Sequence, residues 1–215
     1  MGCSHAGLVQ HTRKPVTVSR TEMIDVVFEI SGGTLPVAYP YSLWDELVRL
    51  VPQLEDDETI GVIPLRMAES KEGMLLPKRA KLVLRLPQEL VDVVSGLAQQ
   101  QMRVAGCEIQ LGSCKTRPIL HYPTLHANLV TGAEHEPDFV AEVESALAAM
   151  DVKAGLICGQ RRLLTNGERV IRGYSLVLHD LTLEGSQRVQ YAGLGKERRF
   201  GCGIFVPYKV ISSLE

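Results

Sequence analysis

The chain has 215 residues, enough for one large domain or two of roughly 100 residues, and 45% of them are hydrophobic, which supports packed cores rather than disorder. No apolar run approaches the ~18 residues of a membrane span, and the first residues lack the apolar stretch of a secretory signal, so a cytoplasmic protein without a membrane partner is expected. The net charge of −2 hides an asymmetry: residues 151–215 hold ten Lys/Arg against six Asp/Glu (+4), whereas residues 1–150 hold 13 against 19 (−6). A near-neutral average can conceal a basic face, and only the face matters to phosphate.

Residues 1–20 are polar and basic and are expected to be a flexible tail. They open Met-Gly-Cys-Ser-His-Ala, but Ala6 stands where an acylation signal wants Ser or Thr. Residues 23–30 are rich in β-branched side chains and predict a strand, broken by Ser31-Gly32-Gly33. Leu43, Trp44, Leu47, Leu50 and Val51 recur at helical spacing within 41–51, and Pro52 stops that helix. Residues 60–65 and 81–86 predict strands. Residues 87–99 predict an amphipathic helix with Leu90, Val91, Val94 and Leu97 inward, and 102–111 a strand bent at Gly106. The order β-α-β-β-α-β is ferredoxin-like.

The order then repeats. Strands are predicted within 118–131 (clearest at 125–130), at 156–164, at 170–179 and at 203–210, with helices at 137–150 and 182–190. Asn166-Gly167 is a hairpin signal between the second and third of these strands. The expected fold class is therefore α+β, two ferredoxin-like (RRM-like) domains in tandem. The expected domains are 21–114 and 115–215, the boundary lying near 113–117.

Five cysteines (Cys3, Cys107, Cys114, Cys158, Cys202) are an odd number with no CxxC pair. That argues against a disulfide scaffold and a zinc site, and no metal or cofactor is expected. The most unusual segment is the glycine-rich loop at 193–203. Gly193, Gly195, Gly201 and Gly203 space out as G-x-G-x5-G-x-G around Lys196, Arg198 and Arg199. This is neither a dinucleotide fingerprint nor a Walker loop. Glycines allow consecutive N–H groups to wrap an anion, and Lys or Arg adds charge-assisted contacts to phosphate. A hairpin that merely needs glycine explains the glycines but not the cations. A second basic group, Arg161 and Arg162 with Arg169 and Arg172 across the predicted hairpin, suits the phosphates of an RNA stem. Phe200, in the loop, is expected to be free to touch a base, and Phe205 to be core.

A tandem ferredoxin-like chain of this size, ending in a glycine-rich loop and a short strand, resembles the CRISPR-associated endoribonucleases that release guide RNAs from repeat transcripts. These are the sixth Cas family, within the repeat-associated RNA-binding superfamily. The run 181–207, with Gly193-Leu194-Gly195 and Phe200-Gly201-Cys202-Gly203-Ile204-Phe205-Val206-Pro207, resembles the subtype first described in myxobacteria. Stretches 60–65, 82–87, 124–131 and 159–162 support it, so the resemblance covers about residues 23–210.

The resemblance implies a metal-independent cut of a CRISPR repeat stem-loop. The ribose 2′-hydroxyl attacks the adjacent phosphorus, leaving a 2′,3′-cyclic phosphate and a 5′-hydroxyl. It also implies retention of the product alongside other Cas subunits of an effector complex. The family usually places a histidine near the start of the first helix, and Tyr39 stands at that position here. The candidate catalytic residues are therefore Tyr39 and His126, with His121 a weaker substitute. Two other readings stay open. One is a non-catalytic subunit that binds and caps the repeat RNA; the other is a small-molecule-binding ferredoxin-like regulator.

Overall fold

The computed structural model describes residues 22–70 and 73–208. The expected tail at 1–20 and Cys3 lie outside the described residues. The elements run β1 (Met23–Gly32), β2 (Thr34–Leu35), α1 (Tyr39–Leu50), β3 (Gly61–Ile63), β4 (Ala68–Ser70), β5 (Gly73–Leu75), β6 (Lys81–Pro87), α2 (Val91–Ser95), β7 (Gln101–Val104) and β8 (Cys107–Pro118). After residues 119–124 come β9 (Leu125–Thr131), α3 (Glu136–Ala149), β10 (Gly155–Thr165), β11 (Val170–His179), α4 (Leu183–Ala192) and β12 (Val206–Pro207).

Two antiparallel sheets carry the architecture, in the orders β3-β6-β1-β8-β7 and β10-β11-β9-β12. The second order, and the first without its edge strand β7, is that of a ferredoxin-like sheet: the chain is a tandem of two such units. A small third sheet, β2-β5-β4, was not anticipated. In β1 the period of two sends Val26, Phe28 and Ile30 into the first core, where Leu43, Trp44 and Leu47 of α1 meet them. In the second unit, Phe139, Val143 and Leu147 of α3 pack on Leu125, Ala127 and Val130 of β9. Thr182 caps α4, its hydroxyl accepting from the Gly185 N–H at 3.1 Å.

Three expected elements differ. The helix at 87–99 is only a 3-10 turn and the five-residue α2. Beyond Gly96 the chain joins the sheet instead, the Gln99 N–H donating to the Gly112 carbonyl and the Leu111 N–H to that of Gln100. The single strand at 102–111 is a hairpin, β7 to β8, because Ala105 and Gly106 take φ of 50° and 83° and turn the chain over. The last strand pairs only at Val206 and Pro207 among the described residues, because 203–205 finish the glycine-rich segment. β8 runs through 113–117 and stays paired with β1 to Pro118.

The units share packing. Leu129 of β9, Ile171 of β11, Phe200 and Cys202 are buried in the first unit's core. On the opposite face of the first sheet, one cross-strand row reads Gly61, Arg85, Asp25, Arg117. Asp25 accepts from Arg85 Nε at 2.8 Å and from Arg117 at 2.8 Å. Arg85, 2% exposed, also donates to the carbonyl of Phe205 at 2.8 Å and towards that of Gln190 at 3.3 Å. One buried cation thus fastens the first sheet to α4 and the approach to β12.

Candidate nucleic-acid interface

The glycine-rich segment is a wedge between the units rather than a free loop. Gly203 donates its N–H to the Leu129 carbonyl at 2.7 Å, and Lys196 its N–H to the Thr131 hydroxyl at 2.6 Å. The N–H groups of Gly193, Leu194, Gly201 and Cys202 also have backbone acceptors inside the protein. The expected wrapping of an anion by consecutive amides is therefore not built here, because those amides hold the fold. Gly203 sits at φ +65°, and a methyl group there would run into the carbonyl oxygen of Leu194. Gly203→Ala is expected to destabilise the protein by at least about 1–2 kcal/mol from backbone conformation alone. Gly33, with open space around it, provides the neutral control. Paired thermal melts of the two variants check this.

The loop's cations have different fates. Arg198 is buried; its Nε donates to the Thr59 carbonyl at 3.0 Å, and burial, with Arg85 nearby, lowers its pKa to about 10. It lies buried at the junction between the units, its two Nη atoms without a hydrogen-bond partner among the described residues, rather than exposed on a gripping loop as expected. Arg199 and Arg169 both pair with Glu197 and flank the Phe200 ring at 5.2 and 5.1 Å. Phe200 is itself buried against Tyr41, ring centroids 4.7 Å apart, so it touches no base. Gly195 and the Lys196 side chain are exposed.

Tyr39 is also corrected. Its ring lies in the first core, its hydroxyl accepts from the Leu65 N–H at 2.8 Å, and burial pushes its pKa up to about 12. A hydroxyl so placed holds the segment after β3 and cannot act as a base near neutral pH.

The basic hairpin is real, but strand alternation divides it. Asn166 accepts from the N–H groups of Glu168 and Arg169 and sets the turn. Arg161 lies opposite Tyr174 and pairs with Glu134, and Arg172 lies in the field of the same carboxylate. Arg162 lies opposite Gly173, on the other face, exposed and without an ion pair among the described residues. His126 lies on the same face, further along the sheet opposite Val177. Half-buried on β9, His126 has its pKa lowered below the ordinary 6.5, first by burial and then by the Arg162 guanidinium. A neutral imidazole and a free guanidinium therefore share a sheet face that carries none of the second unit's own helices. His121 lies exposed in the 119–124 connection.

The family model for the CRISPR protein Cas6 matches residues 24–210. The chain belongs to the Cas6 family. It is 35% identical over 186 residues to the CRISPR-associated endonuclease Cas6 of Myxococcus xanthus (strain DK1622), covering 86% of this chain and 81% of that protein. Two solved structures share the fold. The product of a Cas6-related gene from Pyrococcus furiosus superposes with a TM-score of 0.63 at 12% identity, over 89% of this chain and all of that one. Thermus thermophilus Cse3, bound to an RNA representing a pre-cleavage complex, superposes at 0.52 and 13% identity, over 86% and 98% of the two chains.

For a Cas6-family chain, the largest missed features are the Asp25–Arg85 pair and the exposed Tyr208 beside His126. Neither had a sequence signal, since the first depends on register and the second on where the chain leaves β12. A groove of about 940 Å³ between the start of β1 and the ends of α3 and α4 is rimmed by Glu22, Asp57, Glu89 and Asp151 against Arg188 alone. Its charge is unfavourable for a phosphate backbone. Among the described residues, no helix is long and apolar enough to cross a membrane.

Proposed function

We propose that the chain is an endoribonuclease that binds the stem-loop of CRISPR repeat RNA and cuts it to release guide RNA, without a metal ion. The observation that carries this reading is half-buried His126, its pKa lowered, on the same face of the second sheet as the unpaired Arg162. The named activity of the Myxococcus relative supports the substrate class. In the proposed step the 2′-hydroxyl attacks the adjacent phosphorus and its proton passes to the imidazole. The bond to the 5′-oxygen breaks, and that oxygen takes up a proton from solvent. Arg162 stabilises the charge on the pentavalent phosphate, and holding the 2′-oxygen in line with the leaving group supplies much of the remaining rate. Lys196, exposed and outside any ion pair among the described residues, extends the phosphate contacts. The protein then stays with its product as a subunit of an effector complex.

One observation favours a second reading, the non-catalytic capping subunit. Tyr39, at the position where a histidine is usual, is locked in the core. The deciding experiment is incubation with a stem-loop repeat RNA from the same genome in EDTA, with products resolved on a denaturing gel. A single cut at the 3′ base of the stem, leaving a cyclic phosphate, is expected. Binding without a cut would select the capping subunit, and no binding would remove both readings.

A further inference from the structure

The row of side chains around His126 is unusual for a protein surface. Cross-strand pairing places Ile157, Val177, His126 and Val206 side by side on β10, β11, β9 and β12. The helices of the unit cover the other face, where Leu176, Leu178, Leu125 and Ala127 point. On the uncovered face Ile157 is 56% exposed, and Val177 and Val206 are only half-buried. Two residues beyond Val206, Tyr208 projects from the same face. Its ring lies 5.9 Å from the His126 ring, tilted by 46°, and the residue is 48% exposed. The Tyr208 N–H donates to the Thr124 carbonyl at 3.2 Å, which fixes the backbone under the ring. An anchored aromatic ring with an open side and an apolar floor fit an unpaired base, and the free guanidinium of Arg162 further along the same face suits the RNA backbone. The base gains by stacking, whatever its identity, and the phosphate by charge. A protein partner would find only a narrow apolar strip here, whereas the cation on the same face gives that face a charge complementary to RNA.

We propose that the face holds one unpaired nucleotide next to the scissile bond, its base stacked on Tyr208 and the RNA backbone running from there along the sheet towards Arg162. The proposal rests on the reading of the chain as a repeat-RNA-processing protein and adds that the duplex must end at this face. Tyr208 is thus a positioning residue: it holds the nucleotide, and His126 performs the proton transfer.

The test uses the full chain and repeat RNAs carrying 2-aminopurine at single unpaired positions beside the stem, with a 2′-deoxy sugar at the cut nucleotide to prevent turnover. One position is expected to lose fluorescence on binding. Tyr208→Ala should restore that fluorescence and weaken binding by about 5- to 150-fold. Tyr208→Phe should keep both the quenching and the affinity. Quenching and affinity unchanged in Tyr208→Ala would overturn the proposal, and so would quenching confined to positions inside the stem. If wild-type protein cuts or binds the unlabelled repeat while either of those results holds, the proposed function survives without the nucleotide site. Failure of wild-type protein to bind the repeat at all removes both.

Discussion

Asp25→Ala is expected to lower the unfolding free energy by about 3–5 kcal/mol, the range for removing one partner of a buried ion pair. For a chain of this length that corresponds to a fall in melting temperature of about 6–20 °C. Most of the cost arises at Arg85. Its guanidinium is 2% exposed, and without Asp25 it would keep the Phe205 and Gln190 carbonyls but no countercharge. Arg117 contributes little, because its side chain is 55% exposed and its pairing is screened by water. Arg117→Ala should therefore shift the melt by less than about 1 kcal/mol. A joint replacement, Asp25→Leu with Arg85→Met, should regain much of the loss by removing both charges together. Denaturant titration of the three variants checks the ordering. Equal effects from Asp25→Ala and Arg117→Ala would show that Arg85 gains nothing from its neighbour.

The fold was legible where periodicity carries the signal. The helix of Leu43, Trp44 and Leu47, the β-branched strand of Val26 to Ile30, and the Asn166-Gly167 hairpin are each local patterns with one reading. The misread elements were decided by pairing partners far away in sequence. Residues 97–100 have a helical pattern, yet after a last local turn the Gln99 N–H and the Gln100 carbonyl are captured by β8. Residues 105–106 look like a bend until Ala105 takes up positive φ. The site was read less well, and for a different reason. Composition shows how many cations a segment has and leaves open which of them are already engaged. Glu197 and Glu134 occupy Arg169, Arg199 and Arg161, and the junction buries Arg198. Arg162 was left free because the alternation of β10 puts it on the other face from Arg161. Likewise Tyr39, at the position where the family has a histidine, and His126, as a substitute, both stood as candidates. Burial separates them, raising the tyrosine to about 12 and holding the histidine neutral.

That separation leads to the largest functional effect. His126→Ala is expected to slow cleavage of repeat RNA by about 10²- to 10⁴-fold, the usual contribution of a positioned base, while leaving RNA binding in place. The pH profile identifies the group. A base works when deprotonated, so the single-turnover rate should rise with pH through the pKa of His126 and level off above it. Because burial and Arg162 hold that pKa below 6.5, the plateau should already be reached at pH 7. Arg162→Ala removes one of the two causes, so the rising limb should move to higher pH, towards 6.5. The same variant loses a phosphate contact, and the slope of log affinity against log salt should shrink by about one. A merely structural histidine would give neither the displaced limb nor its dependence on residue 162. A wild-type profile rising only above pH 8 would assign the proton transfer to another group. A profile that rises below pH 7 and moves up in Arg162→Ala would tie the cut to His126 in the field of Arg162.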